Sequence, residues 1–282
     1  MRKWLIVLRA YSWPASLVPV IVGSVSASGA GRFSWPDLLL TLPAALLVHS
    51  GANLANSYFD FKKGADTPRM ADDRCLVDKL ISPALALRLA LGLMAAGAAL
   101  GFILAYKNRL PELLWLGAAG LSLAWFYTGG PGYKYRALGD AGIFLAFGPG
   151  ITAGAALIQS GGLVPEALWA SIPVGLLITA ILHANNMRDT APDSGAGFLT
   201  LAGLLGPERS KLFYYALIFT PYLLCFFFGS IWPPVFCAVS VPLALGLKER
   251  VTRGELSPLV PETARLVAVY GLLLSGGLYI AH

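Results

Sequence analysis

The chain has 282 residues, of which 56% are hydrophobic and 13% charged, and its apolar runs reach the roughly 20 residues that cross a bilayer as one helix. This excludes a water-soluble domain and makes the formal charge of +6 a question of membrane sidedness, not of nucleic-acid binding. The three cysteines, Cys75, Cys225 and Cys237, lack metal-ligand spacing, and no segment points to a protein partner.

Cutting at charges, prolines and glycine clusters predicts an all-α polytopic membrane protein with nine transmembrane helices, at 10–28, 36–57, 83–105, 111–127, 140–158, 166–187, 211–229, 232–247 and 264–281. The first run follows Arg2, Lys3 and Arg9 without a small-residue cleavage site, so it is expected to be retained as a helix. Threading the chain through these spans leaves only Arg32, Lys107 and Arg109 on one side, with 18 of the 21 basic residues on the other. By the positive-inside rule the N-terminus is cytoplasmic and the C-terminus, after nine crossings, is outside. Of the 15 acids, all but Asp37, Glu112 and Glu166 fall on that same basic side, which is therefore where polar chemistry is expected.

The second span ends in "HSGANLANSYFDFKKGAD" and the sixth in "HANNMRDTAPD", and each contains Asn-x-x-x-Asp, as Asn56 with Asp60 and as Asn185 with Asp189. Four spans separate them, as two four-helix repeats plus one added helix would require. The fourth span leads into "YTGGPGYKYRALGD" at 127–140.

Residues four apart share a helix face, so each asparagine projects with its aspartate. Asp193 would extend the second face by a turn if the helix continued, but Pro192 disfavours that. Acidic faces on two helices near a membrane ask for a cation between them. Carboxylate and amide oxygens are hard ligands, which favours Mg²⁺, an ion that completes its shell with phosphate and water. The implied substrate is a phosphate or diphosphate, with Lys62, Lys63, Lys134, Arg136 and Arg188 available to its remaining oxygens. His49 and His183 read as packing or hydrogen-bonding residues, since the neighbouring donors suit a hard cation. Tyr127, Tyr133 and Tyr135 read equally as interface anchors and substrate contacts.

These features together, with "NLANSYFDFKKGAD", "DDRCLVD", "YTGGPGYKYRALGD" and "HANNMRD" in this order, resemble the UbiA superfamily of intramembrane prenyltransferases over most of the chain. Within it they are most similar to the branch acting on 1,4-dihydroxy-2-naphthoate, which includes the vertebrate menaquinone synthase. The resemblance implies helices around a central cavity and two Asp-rich motifs that bind a polyprenyl diphosphate through Mg²⁺. They lie beneath cytoplasmic cap loops, here about 58–82, 128–139 and 188–210. Carried over by residue, it makes Asn56, Asp60, Asp66, Asn185, Asp189 and Asp193 metal ligands. Asn53, Asn56, Arg74, Tyr127, Lys134, Arg136, Asn185 and Arg188 become diphosphate contacts, and Asp60, Asp189 and Lys134 the catalytic set. Asp66 stands in for an acid that the general pattern would place at Gly64, and Asn185 replaces a leading acid.

The implied reaction is ionisation of an allylic diphosphate and attack on the cation by an aromatic acceptor, with loss of CO₂ if the acceptor is dihydroxynaphthoate. A prokaryotic inner or plasma membrane is the expected location. Two alternatives stand beside this reading: the same fold with hydroxybenzoate, a chlorin or porphyrin, or a sugar phosphate as acceptor, and a helical-bundle transporter.

Overall fold

The computed structural model describes residues 2–29, 33–64, 74–190, 195 and 197–282, apart from the side chains of Arg2 and Arg74. Asp66 and Asp193 lie outside the described residues. The helices are α1 Arg2–Val7, α2 Pro14–Ser28, α3 Trp35–Lys63, α4 Arg74–Val77, α5 Pro83–Asn108, α6 Pro111–Phe126, α7 Gly139–Leu145, α8 Ile151–Ser160, α9 Pro165–Arg188, α10 Leu201–Leu224, α11 Trp232–Ala238, α12 Val241–Thr252 and α13 Leu259–Ala281. Among the described residues there is no strand, only an isolated parallel bridge between Arg136 and Leu199.

Among the described residues six helical segments are long and apolar enough to cross a membrane: Trp35–Lys63, Pro83–Asn108, Gly139–Ser160, Pro165–Arg188, Leu201–Phe227 and Leu259–Ala281. The other expected spans, at 10–28, 111–127 and 232–247, are helical over shorter stretches. The first of them begins only at Pro14, after a break at Arg9 and a 3₁₀ turn over Ala10–Ser12. The span expected at 232–247 is two helices, α11 and α12, meeting at Val239 and Ser240. The 140–158 span is interrupted by a π-turn over Ala146–Gly150, where Pro149 supplies no N–H to the helical ladder. In α10, Gly206 leaves helical geometry with φ 74° and ψ 168°, a region open to glycine, just before Pro207.

Local chemistry sets the ends of the helix that matters most. Ser34 caps α3, its hydroxyl accepting from the Asp37 N–H at 3.3 Å, with Pro36 in the first turn. At the other end Gly64 stops the helix in the left-handed region, φ 75°. α3 therefore runs past the expected end at 57 and carries Asp60, Lys62 and Lys63 on its last turn. Its first turn is pinned by Lys107, whose Nζ is 2.8 Å from Asp37 Oδ1.

The main core is built around α9, whose Ala170, Val174, Leu177, Ile178, Ile181 and Ala184 pack with residues of α2, α10 and α13. The π-turn presses against α9 so closely that a Cβ on Gly148 would meet the Gly175 Cα at 2.9 Å. A second, smaller cluster joins α1, α3, α4 and α5 through Val7, Leu54, Cys75, Leu76 and Ala90. α6 reaches the second cluster only through the half-buried Trp125 and fully buries none of its residues. It forms one wall of a cavity of about 960 Å³ that α2, α3, α5, α7, the π-turn, α8 and α9 complete.

Candidate active site

Asn56 and Asp60 on α3, Asn185 on α9, and Tyr127, Tyr133 and Lys134 on the loop after α6 line one end of that cavity. Asn56, Asp60 and Asn185 thus share one lining, Asp189 lies outside it, and the second Asn-x-x-x-Asp motif closes on itself. The Asn185 amide donates to Asp189 Oδ2 at 3.1 Å. α9 ends at Arg188, with Asp189 as its cap, short of Pro192.

Each acid is held by a cation from its own chain. Lys134 Nζ is 2.8 Å from Asp60 Oδ2, and the Tyr135 hydroxyl donates to Asp60 Oδ1. Arg188 grips Asp189 with both ends of its guanidinium, Nε to Oδ1 at 2.8 Å and Nη2 to Oδ2 at 2.7 Å, and its Nη2 also reaches Asn185 Oδ1 at 2.8 Å. The sequence reading placed Lys134 and Arg188 near the acids as phosphate ligands. The structure adds that they neutralise those acids directly.

The loop bearing Lys134 is fixed from several sides. Lys63 Nζ donates to the Thr128 carbonyl at 2.6 Å and lies 4.4 Å from the Tyr135 ring centre. The Thr128 hydroxyl donates to Asn56 Oδ1 at 2.9 Å, and Lys134 N–H donates to the Tyr127 carbonyl at 2.9 Å. The Tyr133 hydroxyl donates to the Leu123 carbonyl at 3.0 Å, and burial pushes its pKa up to about 12, so it stays a donor at neutral pH. The bridge from 136 to 199, with Ala137 N–H to the Leu199 carbonyl at 2.7 Å, ties this loop to the chain beyond the second motif. Tyr135 and Phe198 stack there with ring centres 4.3 Å apart.

Tyr127 is buried and packs edge-on against Tyr133. Arg136 is exposed and does not line the cavity. Asn53 lines it one turn below Asn56. Residues that the sequence reading did not select for the site are Thr128 and the buried triad of Asp140, His183 and Ser210. His183 Nδ1 is 2.8 Å from Asp140 Oδ1 and its Nε2 2.8 Å from Ser210 Oγ, which joins α7, α9 and α10 behind the second motif. Asp140, at the end of "YTGGPGYKYRALGD", and His183, at the start of "HANNMRDTAPD", each stood in a motif, whereas Ser210 had none.

The donor set of two carboxylates and two amides suits a hard divalent ion that takes one or two carboxylates and completes its shell with phosphate oxygens. Among the described residues no three Asp, Glu, His or Cys side chains cluster into a self-sufficient metal site. Such an ion would be shared with its anionic substrate.

Comparison with known proteins agrees with this architecture. Residues 16–272 match the UbiA prenyltransferase family. The UbiA prenyltransferase domain-containing protein 1 of Mus musculus is 36% identical over 99% of this chain and 84% of its own length. Its Drosophila melanogaster homolog is 38% identical over 100% of this chain and 80% of its own. These relatives are animal proteins and lend nothing to the expectation of a prokaryotic membrane. Among solved structures, a UbiA homolog from Aeropyrum pernix K1 superposes with a TM-score of 0.72 at 20% identity, covering 95% of this chain and 97% of that one. A UbiA homolog from Archaeoglobus fulgidus bound to GPP and Mg²⁺ gives 0.61 at 20% identity, covering 97% and 99%. The chain belongs to the UbiA prenyltransferase family and is a multi-pass membrane prenyltransferase.

Proposed function

We propose that this protein transfers a prenyl group from a polyprenyl diphosphate to 1,4-dihydroxy-2-naphthoate, in the assembly of menaquinone, and that the transfer depends on Mg²⁺. The observation that carries the reading is the lining of one large, mostly apolar cavity by Asn56, Asp60 and Asn185, from two Asn-x-x-x-Asp helix ends whose acids each hold a cation. The animal relatives that cover the whole chain support it, as does the homolog solved with GPP and Mg²⁺.

In this reading Asn56, Asp60, Asn185 and Asp189, with Asp66 and Asp193, hold the metal, which when bound supplies positive charge to the departing diphosphate oxygen. Lys134 and Arg188 turn from their carboxylates to phosphate oxygens, with Arg74 and Arg136 as further candidate contacts from the sequence. The allylic C–O bond breaks with its electron pair leaving on diphosphate. The cation left behind sits among alanine, glycine and leucine side chains that exclude water. The ring carbon bearing the carboxylate attacks it, a C–C bond forms, and CO₂ leaves. The electrons of the lost bond restore the aromatic ring, so no base is required.

The acids face the cytoplasm in this proposal, capped by the loops at 58–82, 128–139 and 188–210, with nine crossings arranged as two four-helix units and a final helix. The basic bias of that side supports the orientation. The test is to incubate purified protein with Mg²⁺, geranyl diphosphate and dihydroxynaphthoate, and to follow pyrophosphate and product by mass spectrometry. A prenylated naphthoquinol with CO₂ released is expected. Turnover of hydroxybenzoate alone would move the protein to another acceptor, and transport without a new covalent bond would refute the reading.

A further inference from the structure

The cavity wall is mostly apolar; besides its acidic mouth it carries Arg9, Tyr11 and Thr41 and one polar shelf deeper in. On α3 the residues His49, Asn53, Asn56 and Asp60 are spaced four, three and four apart and all line the cavity, so they form a single stripe. By helical rise Asn53 lies about 10 Å and His49 about 16 Å from Asp60 along the axis. Facing them are Ser12, in the 3₁₀ turn after the break at Arg9, and Ser16, in the first turns of α2.

The protons of this shelf can be assigned by counting donors and acceptors. Ser12 has one hydroxyl proton, and it goes to the Arg9 carbonyl at 2.8 Å. The oxygen of Ser12 can then only accept, which it does from Asn53 Nδ2 at 3.2 Å and from His49 Nε2 at 3.3 Å. His49 therefore carries its proton on Nε2, and its bare Nδ1 accepts from the Ser16 hydroxyl at 2.7 Å. The same count orients the Asn53 amide, with nitrogen toward Ser12 and the carbonyl oxygen left over. That oxygen takes no hydrogen bond from a described residue, although Asn53 is only 8% exposed.

The unspent group is thus an acceptor, beside a second amide N–H on the same side chain. An ionised diphosphate has only acceptors to offer and a prenyl tail has neither donors nor acceptors, so neither half of the prenyl donor complements it. A phenolic hydroxyl, which donates and accepts, does. Phe147 stands edge-on to His49 with ring centres 5.2 Å apart, adding an aromatic side to the shelf.

We propose that the Ser12–His49–Asn53 shelf is the acceptor subsite. There Asn53 binds a ring hydroxyl of the hydroxyaromatic substrate, and Ser16 and His49 act as positioning residues that hold Ser12 and Asn53 in register. This rests on the reading of the protein as an aromatic prenyltransferase, and it moves Asn53 from the diphosphate to the acceptor.

The experiment uses the full-length protein in detergent and titrates 1-hydroxy-2-naphthoate, its 1-methoxy analogue and, separately, geranyl diphosphate with Mg²⁺. Wild type is expected to prefer the hydroxyl compound about tenfold or more, the worth of one or two buried hydrogen bonds. Asn53→Ala, and the gentler Ser16→Ala, should reduce that preference to about twofold, raise acceptor KM, and leave geranyl diphosphate affinity and kcat at saturating acceptor within about twofold. A preference retained in both variants overturns the shelf alone, while equal loss of geranyl diphosphate binding makes these residues helix packing or diphosphate ligands. Wild type that binds neither naphthoate and prenylates no hydroxyaromatic removes the functional reading, and the shelf with it.

Discussion

Lys134 Nζ and Asp60 Oδ2 stand 2.8 Å apart across the cavity mouth, on a loop and a helix separated by 74 positions in the sequence. The pair is mostly shielded from solvent, with 18% and 6% of the two side chains exposed. Lys134→Ala removes a cation aimed at developing negative charge and strands the carboxylate, so kcat is expected to fall by about 10²–10³. Tyr135→Phe removes one hydrogen bond to the same carboxylate, for an expected loss of about tenfold. Pyrophosphate release under saturating substrates measures both, and a Lys134→Ala enzyme with wild-type kcat would take Lys134 out of the machinery.

Both acids already hold cations of the chain, so in the proposed function a metal and a diphosphate would each meet partners that are satisfied by the other's future partner. Taken together they exchange ion pairs without loss. Mg²⁺ should therefore tighten geranyl diphosphate binding by about 5–150-fold, the ordinary range of coupling between two ligands, and the diphosphate should tighten Mg²⁺ by the same factor. Calorimetric titration of each ligand in the presence and absence of the other checks this. Independent binding would mean that the ion pairs persist when substrate is bound.

The Asp140–His183–Ser210 triad touches no cavity wall and is expected to act on stability. His183→Ala leaves Asp140 buried without its closest partner and should cost about 3 kcal/mol. Thermal unfolding in detergent should move down accordingly, with acceptor and donor KM little changed. A large KM effect with unchanged unfolding would give the triad a direct role at the site instead.

Small side chains line the cavity on α5 and α6, among them Ala98, Gly117 and Ala118. Ala98→Phe narrows that space without touching the acids. It should raise KM for geranylgeranyl diphosphate by about tenfold or more and leave geranyl diphosphate close to wild type, a discrimination of a few methylenes' worth of burial. Paired kinetics with the two donors measures it, and parallel loss with both would show that the chain runs along another wall.

What could be read in advance follows from the range of the interactions. The members of the Asn56–Asp60 and Asn185–Asp189 pairs are one helical turn apart, so the sequence alone sets each pair on a common face; Asn56, Asp60 and Asn185 line the cavity, and Asp189 pairs with Asn185 outside that lining. The break between α11 and α12 was hidden because "WPPVFCAVSVPLALG" is apolar throughout, and periodicity sees neither a turn at Ser240 nor a π-turn at Pro149. The hydroxyl of Tyr135 on Asp60 and the serines around His49 depend on contacts 75 and 33–37 positions apart in sequence, which no local pattern encodes. Asp66 and Asp193 remain readings of the sequence.

α6 adds only the half-buried Trp125 to a core cluster, yet it supplies a wall of the cavity. A protein interior normally holds a helix by filling the space beside it with side chains. In the proposed function that filling is the prenyl chain, so the substrate would act as a removable piece of hydrophobic core. Each added isoprene unit then contributes to the cohesion of the fold as well as to affinity. The melting temperature of the bound protein should climb with donor length, until the chain outgrows the wall that it completes.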